Sequence, residues 1–400
     1  MISITRLFCG TLTPGDVLRY GRKSSGSPSD LLRYTADKKP VVVWNVSRRC
    51  NLRCVHCYSD SENGAYPGEL SEEEGKRLIQ DLAEFGVPVI LFSGGEPLMH
   101  PSLLEFVRLA VSKGIRAVVS TNGTLLAREV ARRLKDAGAS YIGVSIDGLE
   151  KTNDAFRGKK GAFRASLEGI RNCVETGVHV GLRLTLTKRN FRDLEGIFEL
   201  VERENIRRVC FYHLVYSGRG GRLREEDVSH DETRRTVDRI MDWALSCHRE
   251  GLEKDVLTVD NHADGVYLYL RMLKEGRPAA EQARELLLWN GGNSSGIGIA
   301  NIDSQGNVHA DQFWQDYSFG NVRQRKFGEV WTDTSDPLMA KLKDRKPFLK
   351  GKCGRCRWVQ MCNGNFRARA IAVYGDVWME DPACYLTEEE IAGRESPAGP

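Results

Sequence analysis

The sequence predicts an α/β fold, a mostly parallel sheet curved into a partial (β/α)6 TIM-like barrel, followed by a smaller C-terminal domain of β-hairpin and helices. Two observations carry this. Six short apolar segments alternate with amphipathic helical ones between Pro40 and Val215, as parallel strands joined by crossover helices do. Right-handed crossovers in succession bend such a sheet toward a barrel. Beyond about residue 290 the pattern changes to glycine and asparagine turns, a hairpin-like pair of apolar runs and a run of cysteines.

Taken in order, residues 1–38 carry Gly, Pro and Ser turn signals around one short amphipathic stretch, and form an extension expected to pack on the main domain. The barrel core spans residues 39–218. Its first strand is 41–46, and the helix at 71–85 opens on a capping box of Ser71 and Glu74. The second strand, 87–92, runs into Ser93-Gly94-Gly95-Glu96-Pro97. Helix 103–113, strand 116–120, helix 127–137 and strand 141–146 follow, then helix 162–176, strand 178–187, helix 194–204 and strand 209–215. Residues 219–290 read as a helical connection, beginning in a glycine- and arginine-rich stretch, with helices near 231–250 and 278–288. Residues 291–400 make the last domain, in which 297–303 and 307–311 pair as a hairpin around Ser304-Gln305-Gly306.

Composition narrows the function classes. The chain has 400 residues, 41% apolar and 28% charged, with a net charge of +4. Both signs are interspersed, so no basic stripe points to nucleic acid. No apolar run approaches the roughly 18 residues of a membrane span, and the opening MISITRLFCG lacks the pattern of a signal peptide. A cytoplasmic location is expected. There are eleven cysteines, an odd number that suits paired disulfides poorly, and seven fall into two clusters. Cys9, Cys173, Cys210 and Cys247 stand apart and read as small buried hydrophobes, Cys9 being the one whose loop could approach the first cluster.

The first cluster holds the chemistry. Cys50, Cys54 and Cys57, spaced C-x3-C-x2-C, leave the first strand on a loop. Three thiolates leave a four-iron cluster one ligand short, and an open iron can bind and activate a small molecule. A structural zinc ion would want a fourth ligand nearby, for which His56 is the local candidate. Three more strand-end stretches converge on the same rim: Gly94-Gly95-Glu96-Pro97, Ser120-Thr121-Asn122-Gly123 and Ser145-Ile146-Asp147-Gly148.

C-x3-C-x2-C after one strand with GGEP after the next resembles the radical S-adenosylmethionine (SAM) enzymes. The resemblance implies that Cys50, Cys54 and Cys57 hold a 4Fe–4S cluster whose fourth iron is chelated by SAM, and that a 5′-deoxyadenosyl radical abstracts hydrogen from the substrate. It implies close approach of Gly94 and Gly95 to the methionine moiety, Glu96 beside its ammonium, and Ser120 and Asn122 at the ribose or carboxylate. Ser145 and Asp147 are further contacts, with ordinary strand-end polarity as the alternative. Arg157 looks like the family arginine that reaches the carboxylate. The second cluster, Cys353-x2-Cys356-x5-Cys362 and then Cys384, is similar to SPASM or twitch domains. This implies a fully ligated second 4Fe–4S cluster relaying electrons, a four-cysteine zinc site being the alternative. The chain departs from the full SPASM pattern at Asn307–Asp311, where a cysteine usually stands, so one auxiliary cluster is expected. The electron donor would be a low-potential protein such as flavodoxin or ferredoxin.

A narrower resemblance lies in ITRLFCGTLTPGDVLRYG, KKPVVVWNVSRRCNLRCVHCYS and GNVHADQFW, which look like the tetrapyrrole-modifying branch. Its sirohaem-derivative deacetylases match best. They imply an iron-containing tetrapyrrole substrate, with removal of two acetate side chains from 12,18-didecarboxysirohaem to give iron-coproporphyrin III. Action on propionates in haem d1 synthesis is the alternative, as is peptide maturation, which the lack of an evident N-terminal winged helix disfavours. For an acidic macrocycle, Arg183, Arg219, Arg222 and Arg224 could pair carboxylates. His213 and His309 could ligate substrate iron or move protons. With Arg183 these histidines are the candidate catalytic groups; solvated or structural roles are the alternatives.

Overall fold

The computed structural model describes residues 1–11 and 39–392. Among these residues ten strands form one sheet: β1 (Ile2–Ser3), β2 (Val41–Ser47), β3 (Val89–Gly94), β4 (Arg116–Thr121), β5 (Tyr141–Ser145), β6 (Val180–Leu186), β7 (Arg208–His213), β8 (Asp255–Val259), β9 (Ile299–Ile302) and β10 (Val308–His309). Their order is β1-β8-β7-β6-β5-β4-β3-β2-β9-β10. From β2 to β8 each strand pairs parallel with the next, and β1 and β10 close the two ends antiparallel. The two edges do not pair with each other, so the barrel is partial.

The six predicted strands are β2 to β7. β3 starts two residues later than expected because Gly86, at φ +87°, caps the preceding helix and the Val87 N–H still donates to Leu82 O at 2.9 Å. Ser71 and Glu74 form the expected capping box on the helix Glu72–Phe85. Gly75 in that helix is required by packing: a Cβ there would lie 2.5 Å from Phe106 and 2.9 Å from Trp44. Trp44, fully buried on β2, thereby seats between Phe92 and Phe106, at the centre of the layer between sheet and helices.

Between residues 39 and 290 sequence reasoning missed two α-helices and one strand. Helix Glu150–Arg157 was hidden in a charged stretch. The connection after residue 218 contains a seventh parallel strand, β8, and a helix at Ala263–Lys274, besides the expected helices at His230–Arg249 and Ala280–Asn290. The expected hairpin forms, with Val308 opposite Ile302. It continues the barrel sheet, however, because β9 pairs parallel with β2 from Val41↔Ile299 to Trp44↔Ile302. Most of the N-terminal extension lies outside the described residues. The part that is described adds β1 to β8 and a short helix, Ile4–Phe8, on the core. Among the described residues no helix is long and apolar enough to cross a membrane.

Candidate active site

The carboxyl ends of β2 to β8 surround a single cleft enclosing about 1140 Å³ of non-protein space, its open mouth included. Cys50, Cys54 and Cys57 line it together with Gly94, Gly95, Ser120, Asn122, Ser145, Asp147 and Arg157. These ten predicted site residues thus meet in one place although the sequence spreads them over more than a hundred positions, as strand-end loops of a parallel sheet must.

The cysteine loop is held as one body with the GGEP loop. Gly95 N–H donates to Ser47 O at 2.7 Å and Glu96 N–H to Arg49 O at 2.9 Å. A Cβ at Gly94 would lie 2.3 Å from Ser47 O, and one at Gly95 2.3 Å from Arg49 O. The glycines are therefore demanded by the backbone of the cysteine loop itself, whereas the sequence suggested approach to a bound molecule. Glu96 stands elsewhere than expected. Its carboxylate is fully buried, does not line the cleft, and accepts from Thr121 Oγ1 (2.6 Å), Asn122 N (2.8 Å) and Leu98 N (3.1 Å). It ties the second strand-end loop to the third instead of facing a ligand's ammonium.

Every thiol of the trio has a donor aimed at its sulfur. Leu52 N–H and the Asn122 amide reach Cys50 Sγ at 3.4 and 3.9 Å. Arg157 Nη1 reaches Cys54 Sγ at 3.5 Å, and Ser61 N–H reaches Cys57 Sγ at 3.4 Å. Such donors stabilise thiolates. Against them, burial pushes the Cys50 thiol up to about 12 and the Cys54 thiol up as well, so these thiols keep their protons until a cation displaces them. Among the described residues no three His, Cys, Asp or Glu side chains converge tightly enough to chelate one metal ion. A lone zinc needs every donor within about 2.0–2.3 Å of one point, whereas a cubane cluster spreads its ligands over separate corners. Three soft thiol donors on one loop, with no disulfide, are the ligand type an iron–sulfur cluster takes.

Asp147 organises the facing wall. Fully buried, it ion-pairs with Arg157, accepts from Thr185 N at 2.8 Å and stands 3.3 Å from His56 Nε2. Burial pulls the His56 imidazole down to about 4 despite that carboxylate, leaving a neutral ring. Ser120 Oγ accepts from Arg183 Nη1 at 2.6 Å, and Ser145 lines the cleft beside it.

The second candidate set divides. His213 lines the cleft, with Nε2 2.8 Å from Asp264 Oδ2, and Asp264 Oδ1 accepts from Tyr385 Oη at 2.7 Å. His309 does not line the cleft. Its Nδ1 is 2.8 Å from Tyr317 O and its Nε2 3.3 Å from Asp303 Oδ2, so it pins the hairpin. Arg219 lines the cleft but is spent on the cysteine loop, donating to Cys54 O (2.7 Å), Asp60 Oδ1 (2.7 Å) and Ser61 O (2.8 Å). Arg222 and Arg224 are exposed on a 3-10 segment, Gly218–Glu226, and do not line the cleft, which removes both as substrate contacts. Cys9 likewise belongs to the core packing, not to the cleft. Asp260 was missed: it lines the cleft from the end of the unpredicted β8, at φ +66°. Burial raises its carboxyl to about 7.

The C-terminal cysteines also group. Cys353, Cys356 and Cys384 each act electrostatically on Cys362, whose thiol burial pushes well up. All cysteines are free of disulfides. Arg369 and Asp381, both fully buried, join this region to the cleft: Arg369 pairs bidentately with Asp381 at 2.8 and 2.7 Å and donates to Leu214 O (3.1 Å) and Asp260 O (2.7 Å).

Comparison with known proteins agrees with this geometry. Residues 44–201 match the family model of the Radical SAM superfamily. The chain is 59% identical to Fe-coproporphyrin III synthase of Methanosarcina barkeri (strain Fusaro / DSM 804), covering 98% of this chain and 99% of that one. It is 44% identical to pre-heme d1 synthase of Dinoroseobacter shibae (strain DSM 16493 / NCIMB 14021 / DFL 12), over 88% of this chain and 87% of the other. In fold it superposes on native anSMEcpe with bound AdoMet at a TM-score of 0.66 and 17% identity, covering 86% and 93% of the two chains. A partial barrel with three thiols and a GGEP loop at its rim, together with near-complete overlap with these synthases, makes this chain a radical SAM enzyme of the tetrapyrrole-modifying branch of that superfamily.

Proposed function

We propose that the enzyme removes the two acetate side chains of 12,18-didecarboxysirohaem, giving iron-coproporphyrin III. The observation that carries this reading is the 59% identity to an Fe-coproporphyrin III synthase along essentially the whole of both chains, against 44% to the pre-heme d1 synthase. In this reading Cys50, Cys54 and Cys57 hold a 4Fe–4S cluster, and SAM occupies the cleft against Gly94, Gly95, Asn122, Ser145 and Arg157. Bound there, cluster and SAM supply one-electron cleavage of the sulfonium and a radical able to abstract hydrogen. The chain's own residues set the conditions. N–H donors from Leu52, Asn122, Ser61 and Arg157 hold thiolate charge, Arg219 fixes the cysteine loop, and Asp147 orients the Arg157 fork. His213, fixed by Asp264, faces the cleft as a group able to hold or pass a proton. Cys353, Cys356, Cys362 and Cys384 would hold a second 4Fe–4S cluster fed by a low-potential flavodoxin or ferredoxin, in the cytoplasm.

Anaerobic reconstitution should give about eight irons per chain; zinc with little iron would sink the cluster assignment. Incubation with reductant, SAM and didecarboxysirohaem should release 5′-deoxyadenosine and a product lighter by two acetate losses. Turnover of a haem d1 precursor with didecarboxysirohaem left unchanged would move the enzyme to the neighbouring activity. Cys54→Ala should abolish SAM cleavage, while Cys356→Ala should spare the first cluster's spectrum.

A further inference from the structure

Among the described residues three arginines line the cleft, and two of them have carboxylates of their own. Arg157 is paired with Asp147 and Arg219 with Asp60. Arg183, on β6, has none among the described residues. A guanidinium offers five N–H donors, and the Arg183 group spends them on two neutral hydroxyls at most, Ser120 Oγ at 2.6 Å and the adjacent Tyr141 phenol. Its Nε is buried without a partner. Phenols stand beside it, not carboxylates: the Tyr141 ring centroid is 5.7 Å from Cζ, and burial pushes the Tyr141 phenol up to about 12 and the Tyr212 phenol up further.

The position is built for this side chain. β5 presents Gly143 where the guanidinium passes, and a Cβ there would sit 2.1 Å from Arg183 Nε and 2.4 Å from Cζ. Removing a lone cation from water without a counter-ion is costly, and the cost falls when an anion enters. A planar fork with donors to spare matches a carboxylate bidentately. Two relatives of this chain are named as synthases of Fe-coproporphyrin III and pre-heme d1, and coproporphyrin-type macrocycles carry carboxylate side chains.

We propose that Arg183 binds a side-chain carboxylate of the substrate and so sets how the macrocycle sits in the cleft. The proposal rests on the tetrapyrrole reading above and adds a specificity residue to it. The test uses the full, anaerobically reconstituted chain, titrated with iron-coproporphyrin III and with its tetramethyl ester while the Soret band is followed. The wild type should bind the free acid more tightly than the ester. Arg183→Gln should lose about 10- to 100-fold in affinity for the acid, as expected for a lost charged hydrogen-bonded contact, and change little toward the ester. Arg183→Met tests the same point should the glutamine variant fold poorly. SAM affinity by equilibrium dialysis should be the same in wild type and variants. Equal binding of acid and ester by the wild type, or equal acid binding by wild type and both variants, overturns the proposal while leaving the tetrapyrrole reading standing. Loss of SAM affinity in the variants overturns it too, by assigning Arg183 to the cofactor. A wild type that binds neither form overturns the tetrapyrrole reading and this proposal with it.

Discussion

Gly95→Ala tests the claim that the GGEP loop and the cysteine loop are one body. The added Cβ would lie 2.3 Å from Arg49 O and 2.6 Å from Arg48 O. Both are backbone atoms, so no rotamer relieves the clash, and ordinary contact at about 3.4 Å requires the loops to part by roughly 1 Å. That separation breaks Gly95 N–Ser47 O (2.7 Å) and Glu96 N–Arg49 O (2.9 Å). Two hydrogen bonds at about 1 kcal/mol each, with about 1–3 kcal/mol of overpacking, give a loss of roughly 3–5 kcal/mol. For a chain of 400 residues unfolding as one unit, with entropy of about 2.1 cal/mol/K per residue, this lowers Tm by about 4–6 °C. Gly64→Ala is the control, since its nearest neighbour would be Tyr66 Cε2 at 4.0 Å. Melting of the apo chain by circular dichroism and iron per chain after reconstitution are the two readouts. If Gly95→Ala matches Gly64→Ala in both, the loops are not coupled as described and the reasoning fails.

Three further outcomes follow from buried carboxyl groups. Glu96→Gln keeps the shape but turns an amide N–H₂ toward donors, since Thr121 Oγ1, Asn122 N and Leu98 N all donate to the native carboxylate; a loss of about 2–3 kcal/mol should appear as a lower urea midpoint. Asp260, whose carboxyl burial raises from 3.8 to about 7, favours the protonated folded state, so its contribution is complete below about pH 4 and lost as pH rises through about 7. Stability of the wild type relative to Asp260→Asn should therefore fall across that window, by up to on the order of 4 kcal/mol, and run flat above it; a pH-independent difference refutes the assignment. Asp381→Ala leaves Arg369 buried and unpaired and strips the acceptor from Phe366 N and Ala383 N, which should cost about 3–5 kcal/mol and cut reconstituted iron from about eight to about four per chain.

How much of this was legible depends on whether a signal was local. The cysteine trio, GGEP and the polar ends of β4 and β5 could be read because each motif is contiguous and follows an apolar run. The reason for the glycines could not, because the atoms that exclude a Cβ belong to Ser47 for Gly94 and to Arg48 and Arg49 for Gly95, distant in sequence and adjacent only once β2 and β3 pair. Asp260 and Asp264 escaped notice because β8 is five residues long and sits among strongly amphipathic helices, where its alternation is lost. Arg219 was singled out for its charge on a glycine-rich loop. Its true partners are two backbone carbonyls and the Asp60 carboxylate of the cysteine loop, which no charge count reveals, and Gly218 permits that docking because a Cβ there would lie 2.4 Å from Tyr58 O.

The two cysteine sites are therefore mechanically continuous, although the sequence presents them as separate modules some three hundred residues apart. From the cleft, His213 bonds Asp264 and Asp264 bonds Tyr385, the residue after Cys384. In parallel, Arg369 bonds the carbonyls of Leu214 and Asp260, both cleft residues, while its partner Asp381 accepts from Ala383 N–H, the residue before Cys384. Asn261 Nδ2 donates to Ala383 O at 3.0 Å, and Asn365 Nδ2 donates to Asn261 Oδ1 at 2.6 Å. All of these groups are buried or half-buried, so each bond lost leaves a polar atom that water reaches poorly, and such networks hold or fail together. The ends of β7 and β8 are consequently fixed by the C-terminal cysteine region as much as by the barrel. A change at Cys384 should thus be felt at His213 and Asp260 before any question of electron transfer arises. Defects in C-terminal variants have to be separated into cleft geometry and redox function, by SAM and tetrapyrrole affinities measured alongside turnover.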